Sequence, residues 1–105
     1  MVTPDNLRRL ALLLPEAQEG DDHGKPAFMV GKKIFCTLSD EAAVVRLPAE
    51  DQHNLLDEGV IEAVPGYWGR KGWTSVHLPA TDEAQVKTLL RLAWDGVAPK
   101  RIPRP

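Results

Sequence analysis

From Pro26 to Leu47 the chain alternates apolar runs with turn pairs, and that punctuation leaves it few ways to fold. Ala27 to Val30 and Lys33 to Leu38 read as two strands joined across Gly31-Lys32, because glycine supplies the left-handed backbone that a two-residue hairpin turn requires. Ser39-Asp40 is a second turn signal. Ala42 to Leu47 then reads as a third strand, with Val45 and Leu47 on one face and Val44 and Arg46 on the other. An antiparallel meander patterned in this way needs a cover for its apolar face.

The flanking segments supply that cover. Thr3 caps a helix that starts at Pro4, and Leu7, Leu10, Ala11 and Leu14 fall at the spacing of one buried stripe before Pro15 stops it. Glu16 to Gly24 is acidic and turn-prone, with a short strand reaching His23. Pro48 opens a second helix through the polar run Glu50 to Asn54, with Leu55 and Leu56 as its core contacts and Gly59 as its end. Val60 to Val64 is a short strand or an extended connection, and Trp73 to Leu78 is a further strand. Asp82 caps the last helix, with Gln85 as a capping-box partner, a stripe of Val86, Leu89, Leu90 and Ala93, and Gly96 as its stop. The expected fold is α+β: a two-layer, antiparallel sheet with helices on one face. Its order is helix, three or four strands, helix, one or two strands, helix. Residues 1–96 form a single domain, and 97–105 a basic, proline-rich tail expected to be extended and frayed at its end.

Composition narrows the function. The 105 residues suit one domain, and the apolar run Leu10 to Leu14 is far too short for a membrane span or a signal-peptide core. A cytoplasmic protein without a membrane partner is expected. The single cysteine, Cys36, excludes an internal disulfide and lies in an apolar strand as a small buried hydrophobe. The net charge of −2 hides an asymmetry: residues 1–65 hold six Lys/Arg against twelve Asp/Glu, and residues 66–105 hold seven against three. Arg70, Lys71, Lys87, Arg91, Lys100, Arg101 and Arg104 form one positive face if the last helix packs beside the segment that precedes Thr74; the alternative is that they are scattered, solvated charges.

That segment, Pro65 to Thr74, holds two of the three tryptophans, the only tyrosine and three of the eight glycines. It has two readings. Trp68 and Trp73 anchor it on the end of the core, with Tyr67 half exposed. Alternatively, Arg70 and Lys71 project from a glycine-hinged tip to grip phosphates while an aromatic stacks on a base. The two are compatible, and the tryptophans are expected to be mainly structural.

Enzyme chemistry finds no support in the motifs. Ser39 and Ser75 lie in no nucleophile elbow, and no phosphate-loop or dinucleotide signature occurs. Asp21-Asp22-His23 places at most Asp21 and His23 on one strand face, and His53 and His77 stand apart, so neither a metal nor a cofactor is expected. His23-Gly24-Lys25-Pro26 either shapes a turn or lines a pocket.

The helix-proline start, the run His23 to Phe35, the Pro-Gly-Tyr-Trp-Gly-Arg-Lys-Gly-Trp loop and Ala98-Pro99-Lys100-Arg101 together resemble the MmcQ/YjbR family. The likeness covers nearly the whole chain. It implies a small bacterial single-domain protein with a fold similar to type III secretion chaperones and to the frataxin-like CyaY topology. It also implies a DNA-binding role through a double-wing arrangement. The chain departs from the family where many relatives have Trp-Gly and it has His23-Gly24. The expected function is thus a non-enzymatic DNA-binding domain using Arg70, Lys71, Lys100 and Arg101, with weak, salt-sensitive affinity. The alternative is a protein- or small-ligand-binding module using the open sheet face or a cleft near His23, Lys25, Tyr67 and Trp68.

Overall fold

A computed structural model describes all residues from Met1 to Pro105. The chain runs α1 (Pro4–Leu12), β1 (Ala17–Asp22), β2 (Lys25–Val30), β3 (Lys33–Ser39), β4 (Ala42–Arg46), α2 (Ala49–Leu55), β5 (Ile61–Ala63), α3 (Tyr67–Arg70), β6 (Trp73–His77), a 3-10 turn (Leu78–Ala80) and α4 (Glu83–Val97). The six strands form one antiparallel sheet in the order β1-β2-β3-β4-β6-β5. The α+β architecture and the meander read from the sequence are both present. The acidic segment after Pro15 is a full six-residue edge strand, and the aromatic loop contains one helical turn.

Each hairpin turn has the backbone its residues permit. His23 and Gly24 both have positive φ, 52° and 86°, as a type I′ turn demands, and Gly24 N–H donates to the Asp21 carboxylate at 3.1 Å. Between β2 and β3 the register slips by one residue, because Phe28 faces Cys36 while Met29 faces Ile34. Phe35 is the extra residue of this bulge, and both it and Cys36 are fully buried. Burial pushes the Cys36 thiol far above its ordinary range, so it is an inert core group.

The helices α1 and α4 cover one face: α4 lies across β2, β3 and β4, and α1 packs against α4 and β1. Thr3 and Asn6 form a reciprocal capping box on α1. Asp82 caps α4 by accepting from Gln85 N–H at 2.7 Å. Trp94 is completely buried in the centre of this layer, and its indole N–H donates to the Pro15 carbonyl at 2.9 Å. The opposite face, which includes Met29, Thr37, Val44 and Ser75, carries no helix and remains half-exposed.

Two sequence expectations are corrected. The second helix buries no residue: Leu55 only flanks the core and Leu56 is exposed, because α2 spans just seven residues and is held by polar contacts. Gln52 Nε2 donates to the Gly69 carbonyl and to Thr74 Oγ1, both at 3.0 Å. The tail is neither extended nor free. The helix passes Gly96 to end at Val97, Val97, Ala98 and Ile102 are buried, and Arg101 makes a two-pronged pair with Glu16 at 2.8 and 2.9 Å. Arg104 lies 5.1 Å from the centre of the Trp94 ring and pairs with Asp95.

The glycines of this frame differ in what an added methyl would meet. At Gly72 (φ 100°) a Cβ would sit 2.2 Å from the Leu47 carbonyl oxygen, whereas at Gly96 it would meet nothing within 4 Å. Gly72→Ala should therefore cost at least about 2 kcal/mol through backbone overlap and strain. Gly96→Ala should add roughly 0.5 kcal/mol by restricting the unfolded chain. Urea denaturation midpoints measured side by side check both signs.

The tail clamp is pH-dependent. The Arg101 guanidinium, by hydrogen bonding and then by charge, holds the Glu16 carboxyl below its ordinary value of 4.5. A carboxyl depressed on folding stabilises the native state above its unfolded pKa and loses that contribution as pH falls through the folded value. Arg101→Ala should lower the melting temperature at neutral pH, and the gap from the parent should close as the medium is acidified below 4.5. Thermal melts across pH would show it.

Candidate nucleic-acid interface

The register of the sheet gathers a group of unpaired cations at one end and the acidic turns at the other. Strand pairs Val30 with Lys33, Arg46 with Trp73, and Ala63 with Thr74 lie at one end, together with the β2–β3 turn and the α3 segment. That end carries Lys32, Lys33, Arg46, Arg70 and Lys71, all exposed. The opposite end carries the turns with Asp21, Asp22, Asp40 and Glu41, the approach to β5 with Asp57 and Glu58, and the start of α4 with Asp82 and Glu83. None of the five cations at the basic end makes an ion pair. Their like charge is left to solvent and to any anion that approaches.

Arg46, Arg70 and Lys71 converge on a cleft of about 290 Å³, walled by Leu47, Pro48, Ala49 and Gly72 on one side and by Ala93, Gly96 and Val97 of α4 on the other. The chain folds this way because Leu47 N–H continues the β4–β6 ladder by donating to the Gly72 carbonyl at 2.8 Å. This bond brings the residues after β4 against those before β6. Arg46 Nε also reaches the Lys71 carbonyl at 3.4 Å, which orients its guanidinium along the rim. The exposed Glu50 and the half-buried Asp51 follow the lining residue Ala49 on the first turn of α2, and Asp95, paired with Arg104, precedes the lining residue Gly96.

The single turn α3 is set by one close approach. A Cβ on Gly69 would lie 1.9 Å from the Val64 carbonyl oxygen, so only glycine allows the turn to sit flat on the chain leaving β5. Its aromatics point away from the core. Tyr67 is 55% and Trp68 59% exposed, with ring centres 5.3 Å apart at 82°, and Lys71 Nζ stands 5.4 Å from the centre of the Tyr67 ring. The expectation of two anchoring tryptophans therefore fails for Trp68. Trp73 lies half-buried on the uncovered sheet face, and Trp94 is the tryptophan that fills the core.

The residues singled out in the sequence divide accordingly. Arg70 and Lys71 meet in the cleft, and Lys100 is exposed just beyond Val97. Arg101 is occupied by Glu16, Arg104 by Asp95 and Lys87 by Glu83, so the seven-cation face drawn from the C-terminal part does not form. His23 and Lys25 are at the acidic end beside the edge strand β1, four strands across and one sheet length away from Tyr67 and Trp68. The cleft imagined between those residues is absent, and His23 is a turn residue with a fully solvated ring. Arg46, Lys32 and Lys33 were missed because they belong to the acidic part of the sequence. The hairpin signals carried the clue, since counting strand directions brings the β2–β3 turn and the end of β4 to the same edge.

Comparison with curated proteins and with solved structures returns no match. The YjbR family model matches residues 12–96, from the end of α1 to the penultimate residue of α4. With most of its length matched, including the whole sheet and the aromatic turn, the chain belongs to the YjbR family.

Proposed function

We propose that this domain binds nucleic acid, with DNA as the expected ligand, through its basic end. The observation that carries this reading is the convergence of Arg46, Arg70 and Lys71 on one cleft with no carboxylate paired to any of them, beside two solvent-facing aromatic rings. Phosphates are the natural counter-charge for such a cluster, and arginine offers them a planar pair of donors. Lys32, Lys33 and Lys100 extend the positive border outside the cleft and add long-range attraction more than contact. A net charge of −2 keeps the overall affinity modest. Attachment rests on local neutralisation of a few phosphates and weakens steeply with salt.

A second reading, a module for a protein or small ligand, is supported by the uncovered sheet face around Met29, Thr37 and Val44. It predicts a binding event that is insensitive to the arginines. Replacing Arg46, Arg70 and Lys71 together by alanine should lower the slope of log affinity against log salt by about 2 to 3 for a DNA oligomer, one phosphate contact being lost per cation. Lys87→Ala, on the far half of α4, should leave the slope unchanged. Anisotropy titrations of a labelled DNA at several salt concentrations give both numbers. An unaltered slope in the triple variant would exclude the cleft as a phosphate site.

A further inference from the structure

The aromatic pair points to a more specific ligand. Tyr67 and Trp68 expose more than half of their surface, while Trp94, in the same small domain, exposes none. An indole costs free energy when left in water, and nothing else in the chain uses this one to close the core. The pair is rigidly mounted. Lys71 N–H donates to the Tyr67 and Trp68 carbonyls, Gly72 N–H to the Gly69 carbonyl, and Gln52 ties the Gly69 carbonyl to α2. The edge-to-face arrangement at 82° keeps the two rings from stacking on each other; Lys71 lies over the Tyr67 ring, and the indole of Trp68 keeps more than half of its surface in solvent.

An exposed indole face flanked by cations matches what unpaired bases offer: π faces joined by a phosphate chain. Duplex DNA offers neither face, because each is covered by the next base pair. Reading a major groove would require a longer element bearing donors and acceptors for base edges. The turn Tyr67-Trp68-Gly69-Arg70 is four residues long, too short to lay a row of such groups along a groove. We propose that the exposed indole of Trp68, braced edge-to-face by Tyr67, is a stacking platform for an unpaired base, so that the domain prefers single-stranded over double-stranded nucleic acid. Arg46, Arg70 and Lys71 hold the adjoining phosphates. This inference rests on the nucleic-acid reading above and adds to it the state of the strand.

The test compares three labelled ligands of equal length: oligothymidine, oligouridine and a mixed-sequence DNA duplex. At one salt concentration the parent should bind at least one of the single strands more tightly than the duplex, and the single strand that wins tells DNA from RNA. Trp68→Ala should weaken that binding roughly tenfold, the loss of one stacked base, without changing the salt slope, and Trp68→Phe should restore most of it. Circular dichroism of each variant checks that the exposed substitution leaves the fold intact. Duplex binding equal to or tighter than that of both single strands, or an affinity indifferent to Trp68→Ala, overturns the stacking platform. If the triple cation variant still alters the salt slope on duplex, the nucleic-acid reading survives that failure. If no ligand responds to the cations, both readings fall together.

Discussion

The pairing of β4 with β6 is the constraint from which both the sheet and the cleft follow. Five residue pairs, Ala42 with His77 through Arg46 with Trp73, join segments separated by all of α2, β5 and α3. Closing so long a loop costs entropy that local contacts do not repay. The repayment comes from the buried side of these strands: Ala43, Val45, Thr74 and Val76 are each almost wholly removed from solvent. One further bond, Leu47 N–H to Gly72, carries the ladder past the end of both strands. It is possible only because residue 72 has no side chain to strike the Leu47 carbonyl. Arg46 is delivered to Lys71 by the same register, so the cationic cleft is a product of sheet closure and not of the loop alone.

Local grammar made most of the fold legible. The hairpin turns, the proline and threonine at the start of α1, and the apolar stripes of α1 and α4 each specify their element within a few residues, and each is present. What the sequence concealed was non-local. Nothing near Leu56 says that α2 is too short to bury it, and nothing near Arg101 says that Glu16, eighty-five positions away, will occupy it. Trp68 misled for a related reason: a tryptophan between glycines reads as a plug, yet burial is decided by where the turn rests. That was fixed by Gly69 pressing on Val64. The site was half visible, since Arg70 and Lys71 stand out in the chain while Arg46 becomes basic-end surface only when strand directions are counted.

The segregation of charge explains how an acidic chain can offer a surface for an anion. The sequence pI is about 5.9, and the molecule extends 35 Å along its longest axis. The five residues of β4, from the acidic turn to the cleft, span about 13 Å. The acidic turn before β4 therefore lies more than one Debye length, about 8 Å at physiological ionic strength, from the cleft at its other end. At that distance its repulsion of a phosphate is largely screened. Local potential, not net charge, governs what approaches the cleft, and the acidic residues next to its lining in the chain are Glu50 and Asp51 of α2 and Asp95 of α4.

The ten residues from Pro65 to Thr74 thus separate into parts with different obligations. Gly69 and Gly72 answer to the fold, because any side chain there collides with backbone. Thr74, buried and donating to the Gly72 carbonyl at 2.9 Å, answers to it as well. Tyr67, Trp68, Arg70 and Lys71 do not: all four are exposed, none is paired with an acid, and Tyr67 contacts both Trp68 and Lys71. A purely structural turn needs the glycines and the threonine, whereas none of the other four side chains closes the core. The glycines hold the turn against the sheet, and that rigidity lets a four-residue helix present two rings and two cations in a fixed relation, the condition under which weak individual contacts add instead of being spent on ordering the loop.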